Sequence, residues 1–232
     1  MEPHVPKPST NLLLSADRAA WASSPTHGTR FDEKNHELFK MRDKVLARDN
    51  QTCQGCGWKS KDWQEIHHKN GDHRDHSEGN LETLCPLCHQ VFHLPIAAAT
   101  GGGSIIWLPE IQQGELNLLC IGLFVAMKNP KGRWAGIART VFSALESRKS
   151  FMDEHLGRSD PGVLAQVLIN LTPEEYARRE SMVGSLRLLP YAARFQGAID
   201  YWEATNFKNL PEDKWEEMLP ADLDLATLVP DA

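Results

Sequence analysis

The chain has 232 residues, 41% of them hydrophobic, so it can bury a core and form one large domain or two small ones. Its formal net charge is -6 at pH 7, which argues against an obligate nucleic-acid binder, because such proteins usually carry a basic surface. No run of about 18 apolar residues is present, so the sequence predicts no membrane span. The first residues lack a charged segment followed by an apolar run, which predicts no signal peptide and a cytoplasmic location.

The first part of the chain has few clear elements. Residues 1–31 are predicted to be an extended arm, with a short strand over 11–14 at a sheet edge and a loop over 24–28. Residues 33–49 are predicted to be helical, because apolar side chains recur there at helical spacing. These side chains are Leu38, Met41, Val45 and Leu46.

Two cysteine pairs follow the predicted helix. Cys53 and Cys56 form one C-x2-C motif, and Cys85 and Cys88 form another after an interval of 28 residues, 57–84. In a chain without an export signal, such pairs indicate metal binding before disulfides. The spacing predicts one structural zinc held by four thiolates, with no ligand position open to water. Cys120 lies on the apolar face of a later predicted helix and is expected to be part of the core.

Histidines are concentrated between and just after the cysteine pairs. A predicted strand over 63–68 ends in His67 and His68, before an Asn-Gly turn signal. Because neighbouring residues of a strand point to opposite faces, both can reach one site only if the strand distorts there. His89 and His93 are four residues apart, so a single helix that ends at Pro95 would place both on one face.

The remaining chain is predicted to be mainly helical. The glycine-rich stretch 100–104 is the best candidate for a flexible joint between domains, and a short apolar strand over 104–108 follows it. Thr172-Pro173-Glu174-Glu175 is a strong helix start, and that helix is predicted to continue to about Leu189. The other predicted helices cover 115–127, 134–148, 161–170, 191–204 and 211–218.

The order of cysteines, histidines and one asparagine resembles the ββα-metal module of HNH endonucleases, in the His-rich form of the nuclease colicins. The matching residues are C-x2-C, His67-His68, Asn80 and C-x2-C-His89-x3-His93. The resemblance implies that His67, His89 and His93 would hold a second, catalytic divalent metal. It also implies that His68 would be the general base and that Asn80 would hold the loop that aims it.

Local charge favours a different interpretation of the same residues. From Phe31 to Pro95 the chain has nine Lys or Arg against eleven Asp or Glu. A nuclease must overcome phosphate repulsion, and its affinity depends heavily on Lys and Arg contacts. The histidines could instead simply pack a small module that zinc folds. On the residues alone, a nuclease and a scaffold both remain open.

Beyond the cysteines and histidines, the chain resembles the IcmJ/DotN family of type IVB secretion systems over roughly residues 35–205. The segments that carry the resemblance are "RDNQTCQGCG", "GGGSIIWLPEIQQGELNLLC", "SDPGVLAQVLIN" and "RLLPYAARFQGAIDYW". The resemblance implies a non-enzymatic adaptor that binds the coupling-protein ATPase and its associated adaptors at the cytoplasmic face of the inner membrane. Related proteins occur in conjugation systems. Some secretion members lose the catalytic histidines, whereas this chain keeps His67, His68, Asn80, His89 and His93.

Together these observations predict an α+β fold, in which an HNH-like module with two zinc knuckles precedes a mainly helical C-terminal part. The expected division is an arm at 1–31, the zinc module at 32–97, the helical part at 98–220 and an acidic tail at 221–232. The expected function is a zinc-stabilised adaptor of a type IVB secretion or conjugation complex. The alternative is a metal-dependent HNH endonuclease that cleaves DNA with His68 as the base. Five aromatic side chains suit a partner surface, although each of them is more often ordinary core, namely Trp107, Trp134, Tyr191, Trp202 and Trp215.

Overall fold

The computed structural model describes residues 9–16, 36–129 and 132–209. The predicted loop at 24–28, the helix at 211–218, the acidic tail and Trp215 lie outside the described residues. The described helices are α1 His36–Arg48, α2 Pro86–His89, α3 Leu94–Ala99, α4 Gln113–Lys128, α5 Arg133–Ser147, α6 Ser150–Leu156, α7 Pro161–Ile169, α8 Pro173–Ala177, α9 Glu180–Val183 and α10 Gln196–Thr205. The strands are β1 Glu65–His68, β2 Leu81–Leu84, β3 Gly103–Trp107 and β4 Leu186–Pro190. The mixed α+β class is confirmed.

The cysteines and histidines lie on a small unit formed by α1, β1, β2 and α2. β1 and β2 pair antiparallel, with Glu65 opposite Leu84 and His68 opposite Leu81. α1 packs against β2, and its last residue, Arg48, donates to the Leu81 carbonyl at 2.8 Å. The predicted helix over 33–49 is thus confirmed for 36–48.

The predicted helix through His89 and His93 is wrong. α2 ends at His89, a single 3-10 turn covers Gln90–Phe92, and α3 starts at Leu94. Pro95 therefore begins a helix instead of ending one. The physical reason is that the first helical turn needs no backbone N–H donor, so proline is favoured there.

The predicted strand over 11–14 is also wrong. This segment is extended, but its one β-bridge joins Ala16 to His93. The backbone of Ser15 accepts from Leu94 N and donates to the Val91 carbonyl. Its partner is therefore the turn between α2 and α3, which is too short and too helical for a strand ladder. Leu12 and Leu14 are buried, and they anchor the segment to the core.

A second two-stranded sheet organises the C-terminal half. β3 and β4 pair antiparallel, with Gly103 opposite Pro190 and Trp107 opposite Leu186. The predicted strand over 104–108 is confirmed by β3. Gly102 and Gly103 are buried, and a Cβ on Gly103 would lie 2.1 Å from the Leu189 carbonyl oxygen. The glycines allow this close crossing of two backbones, and the predicted domain boundary here stays a prediction.

The helix α4 is the central element of the described core. It packs against α5, β4, α10 and α2, and its predicted extent of 115–127 is confirmed. Cys120 on this helix is fully buried, as predicted, and burial raises the pKa of its thiol. One apolar cluster includes Cys53, Cys88, Leu116, Ile105 and Leu188, so both halves contribute to the same core.

The helix predicted from Thr172 to Leu189 breaks into three elements. The start is confirmed, since the Thr172 side chain accepts from Glu175 N and the Glu175 carboxylate accepts from Thr172 N. α8 ends at Ala177, α9 is a single turn, and β4 follows. Residues 186–190 form a strand because they pair with β3, a long-range partner that helical spacing does not reveal. The helix α6 was not predicted.

The aromatic residues expected at a partner surface divide between core and surface. Trp202 is 0% exposed and meets Trp58 edge-on, so of the two alternatives it is core and not part of a surface. Trp134 and Tyr191 are half-buried. Trp107 is 38% exposed and stacks on Phe151 with ring centroids 5.3 Å apart. Among the described residues, no helix combines the length and apolar character needed to cross a membrane.

Candidate metal centre

The four paired cysteines converge on one buried point. Cys53 and Cys56 lie in the turn after α1, and Cys85 and Cys88 lie at the start of α2. Their sulfur atoms lie within 4.8 Å of one another, and Cys56 Sγ is 3.8 Å from Cys85 Sγ. Sulfurs about 2.3 Å from one tetrahedral ion would be separated by about 3.8 Å. A disulfide would need about 2.0 Å. The four cysteines can therefore hold one metal ion.

Buried thiols at this distance do not ionise independently. Burial opposes ionisation of Cys53, but contacts from the other three sulfurs outweigh it and lower the pKa of Cys53 well below its usual value. Burial, followed by contacts with the same neighbours, raises the pKa of Cys88. Four thiolates so close together repel one another, and a bound cation would remove that repulsion.

The C-terminal half supplies a direct contact to this cysteine cluster. Asn117 on α4 is fully buried, and its amide donates to Cys88 Sγ at 3.3 Å and to the Leu87 carbonyl at 3.2 Å. Gln113 donates to Asn117 Oδ1 at 3.0 Å and to the Leu188 carbonyl at 2.9 Å. A hydrogen-bonded chain therefore links the sulfur of Cys88 to strand β4, and it fixes the orientation of a potential metal ligand.

Three histidines form a second group with metal-ligand spacing. One ring nitrogen from each of His67, His89 and His93 lies within 4.8 Å of the others. His89 Nε2 and His93 Nε2 are 3.2 Å apart. Ligand nitrogens about 2.0–2.1 Å from one tetrahedral ion would be about 3.3–3.4 Å apart. The 3-10 turn after α2 brings His89 and His93 together, as the predicted single helix was expected to do.

Glu65 completes this group from the adjacent strand. The His89 ring donates from Nδ1 to Glu65 Oε2 at 2.6 Å. With the proton on Nδ1, the lone pair of a neutral ring lies on Nε2, which faces His93. Carboxylates often orient metal-binding histidines in this way. Glu65 and His67 are two residues apart on β1 and share a face, which is the sequence signal that could have identified Glu65.

His67 and His68 face two different groups, while β1 stays in register with β2 at both positions. His67 stacks on Phe92 with ring centroids 4.2 Å apart, beside His89. His68 stacks on His73 at 4.8 Å. Its Nε2 is 3.2 Å from Nδ1 of His76. The strand therefore does not bring both histidines to one point. Instead, they begin two adjoining parts of one histidine cluster.

Both strand histidines are neutral at pH 7. Burial is the main cause, and neighbouring histidines add to it, so the pKa of His67 falls to about 2 and that of His68 to about 4. A neutral imidazole retains the lone pair that a metal ligand or a general base requires.

Asn80 holds the loop that follows His68. It is 8% exposed and precedes β2. Its Oδ1 accepts from Asn70 N at 3.0 Å, and its Nδ2 donates to the Asp75 carbonyl at 2.8 Å. The loop between these contacts carries His73, and His76 follows the second contact directly. One buried side chain therefore fixes both ends of the loop that leads from His68 to His76. The sequence offered no pattern for the contact of His76 with His68, because the two are eight residues apart across an irregular loop.

The described residues define an α+β protein with two candidate metal centres, one of four cysteines and one of three histidines. No protein-family model matches the chain. It is similar to the type 4 apparatus protein DotN of Legionella pneumophila, with 33% identity over 184 residues, which cover 77% of this chain and 86% of that protein. This chain belongs to the IcmJ/DotN family.

Proposed function

We propose that this protein is a component of a type IV secretion or conjugation apparatus that acts as an adaptor for the coupling-protein ATPase. The observation that carries the proposal is the match to a type 4 apparatus protein over most of both chains. The alignment is longer than the cysteine and histidine unit alone, so the helical part shares in the similarity. The adaptor would lie in the cytoplasm at the inner membrane, held there by its partner.

The proposed adaptor is stabilised by zinc. All four cysteines are 3% exposed or less, and their sulfur separation suits a tetrahedral ion of this kind. The order β1, β2, α2, with cysteines on both sides of the hairpin, supports an HNH-like ββα module with two zinc knuckles. When bound, zinc would neutralise the thiolates and close the fold, which in zinc-finger peptides contributes about 10–16 kcal/mol. The hydrogen bonds of Asn117 and Gln113 would then connect the metal-bound cysteines to α4 and β4.

The proposed partner surface lies beside β3 and α6. The segments 101–127 and 187–202 carry the family resemblance, but they are mostly buried and so offer little to a partner. Trp107 and Phe151 are different, because their stacked rings are 38% and 37% exposed. His155 stacks on Phe151 with centroids 4.1 Å apart. Exposed aromatic side chains held by their neighbours make effective binding anchors because little conformational entropy is lost on binding.

The test is capture of partners from the native host with tagged protein. We expect the coupling-protein ATPase to co-purify with wild-type protein and with the His68→Ala variant. Trp107→Ala should weaken the free energy of binding to the ATPase by at least about 2 kcal/mol, a typical hot-spot loss, and so reduce the amount captured. Ile137→Ala is the matched control, since Ile137 is 44% exposed and lies on α5, outside β3 and α6. If the ATPase is absent from every eluate although the protein is folded, the adaptor proposal is wrong.

The second candidate function is an HNH endonuclease, and the histidine geometry specifically favours it. His67, His89 and His93 would hold a divalent metal, which would stabilise charge on a phosphate and its leaving oxygen. Glu65 would orient His89. His68, neutral at pH 7, would accept the water proton, and Asn80 would hold its loop. The excess of acidic over basic residues around this site opposes DNA binding.

Plasmid cleavage in Mg²⁺, Mn²⁺ or Ni²⁺ tests this candidate. A nuclease requires cleavage by wild-type protein that falls by at least about 100-fold in His68→Ala, the lower range for loss of a general base. Equal cleavage by both proteins would indicate a contaminant. If neither protein cleaves in any of the three metals, the nuclease candidate is rejected.

A further inference from the structure

The contact between His68 and His76 has the geometry of a metal-chelating pair. His68 Nε2 and His76 Nδ1 are 3.2 Å apart. His89 Nε2 and His93 Nε2, which belong to the three-histidine group, have the same 3.2 Å separation. Two nitrogens bound to one tetrahedral ion would lie about 3.3–3.4 Å apart, so both pairs fit. The two pairs lie at opposite parts of the histidine cluster, and His73 lies between His68 and His93.

The loop that carries His76 is built to hold its position. Asn80 bonds to the backbone of Asn70 and Asp75, and the Asn70 side chain donates to Asp75 Oδ2 at 2.9 Å. Asp75 Oδ1 in turn accepts from Ser77 N at 3.1 Å. These bonds fix the residues on both sides of His76. A pair of imidazoles held in place in this way loses little entropy when it binds an ion.

The surroundings suit an imidazole-preferring ion. His68 is 4% exposed, whereas His76 is half-buried, so the pair has one side in the interior and one toward solvent. Divalent zinc, nickel and copper prefer imidazole nitrogen, whereas magnesium and calcium prefer oxygen. Both Asp75 carboxylate oxygens already accept hydrogen bonds, so water would fill the remaining ligand positions.

We propose that His68 and His76 bind a divalent transition-metal ion of their own, separate from the ions of the four cysteines and of the three-histidine group. The site uses Nε2 of His68 and Nδ1 of His76. An ion there occupies the Nε2 lone pair of His68, so that nitrogen cannot accept a proton from water. In this site His68 is a metal ligand and not a general base. A protein that keeps all the histidines of the HNH motif can therefore be a scaffold and not a nuclease. This inference depends on the histidine geometry alone and not on the proposed adaptor role.

A zinc titration of the full chain in competition with a chromophoric chelator tests the site. We expect wild-type protein to bind one zinc equivalent more than His76→Ala. His155→Ala is the matched control, because His155 is exposed and far along the chain in α6, and it should bind as much zinc as wild type. Equal zinc in wild type and His76→Ala overturns the proposal and leaves a plain hydrogen bond between the two rings.

The same comparison in a His89→Ala background separates this site from the three-histidine group. His76→Ala should still remove one equivalent there. Loss of the difference would mean that His76 acts only through that group, which overturns the separate site. If His76→Ala does not fold, the test is NMR of the His89→Ala protein, which keeps both His68 and His76. Zinc should shift the ring signals of both His68 and His76, and unchanged signals contradict the proposal. Neither result depends on whether an ATPase is captured.

Discussion

Nδ1 of His89 lies 2.6 Å from Oε2 of Glu65, a contact that joins a helix-end histidine to the strand before it. The Glu65 carboxylate accepts a hydrogen bond from Nδ1–H of His89, so the lone pair on Nε2, the opposite ring nitrogen, is available to an ion. His67, two residues after Glu65 on the same strand, belongs to the same group. One short strand thus supplies both a potential ligand and the residue that orients another.

Glu65→Ala should weaken metal binding at the three-histidine group by about 10–100-fold, the usual cost of losing such an orienting partner. The reason is that His89 would lose the acceptor that fixes its tautomer and ring position. Ni²⁺ titration by calorimetry gives the affinity. Glu78→Ala, an exposed carboxylate on the same unit, is the control and should change little. Equal affinities for Glu65→Ala and wild type would show that the carboxylate does not serve a metal ligand.

Cys85→Ser should lower the zinc content and leave the protein insoluble or sensitive to protease, because one of four thiolates is lost from a closed site. Zinc analysis and limited proteolysis measure this. Cys120→Ala is the control, since Cys120 is equally buried but, within the described part of the chain, belongs to no group that could hold a metal ion. It should retain full zinc. Unchanged zinc and melting temperature in Cys85→Ser would contradict a four-cysteine site.

Gly114→Ala should reduce the free energy of unfolding by about 1–3 kcal/mol, the usual cost of overpacking. A Cβ at this position, on the first turn of α4, would lie 2.2 Å from the Gly55 carbonyl oxygen in the first cysteine turn. Gly136→Ala, with nothing within 4 Å of its Cβ, is the matched control in α5. It should stabilise by about 0.5–1 kcal/mol. Urea unfolding compares them, and equal effects would contradict the close packing of α4 on the cysteine turn.

Acidification should destabilise the protein. Burial lowers the pKa of His68 from 6.5 to about 4, so its contribution is complete above 6.5 and is lost as the pH falls from 6.5 toward 4. The slope is on the order of 1.4 kcal/mol per pH unit for this histidine. Proton competition for a metal-binding site acts in the same direction. Urea unfolding across this pH range gives the free energy of unfolding at each pH. This free energy should depend less steeply on pH in His68→Phe than in wild type or His155→Phe. Equal slopes in all three would be contrary to this account.

How far the sequence predicts this structure depends on the range of the interactions involved. Local signals performed well: the Thr172 cap, the apolar spacing of α4 and the C-x2-C motifs each act within a few residues. They correctly predicted the start of α8, the extent of α4 and a group of four close cysteines.

Interactions between distant residues were not predictable in the same way. Residues 186–190 form a strand only because β3 lies beside them. The helix-breaking character of proline predicts a helix end at Pro95, but Pro95 occupies the first turn of α3. The contact of Asn117 with Cys88 spans 29 residues and two elements, and no motif announces it. Glu65 was missed as well, although strand periodicity places it on the same face as His67.

The most direct test of the central claim is a binding isotherm between this protein and the purified cytoplasmic part of the coupling-protein ATPase from the same organism. We predict saturable binding that is equal for wild type and His68→Ala, because the partner surface proposed at Trp107 and Phe151 does not include His68. DNA should not compete. Absence of ATPase binding, together with DNA binding that falls steeply with salt, would contradict the adaptor account and support the nuclease.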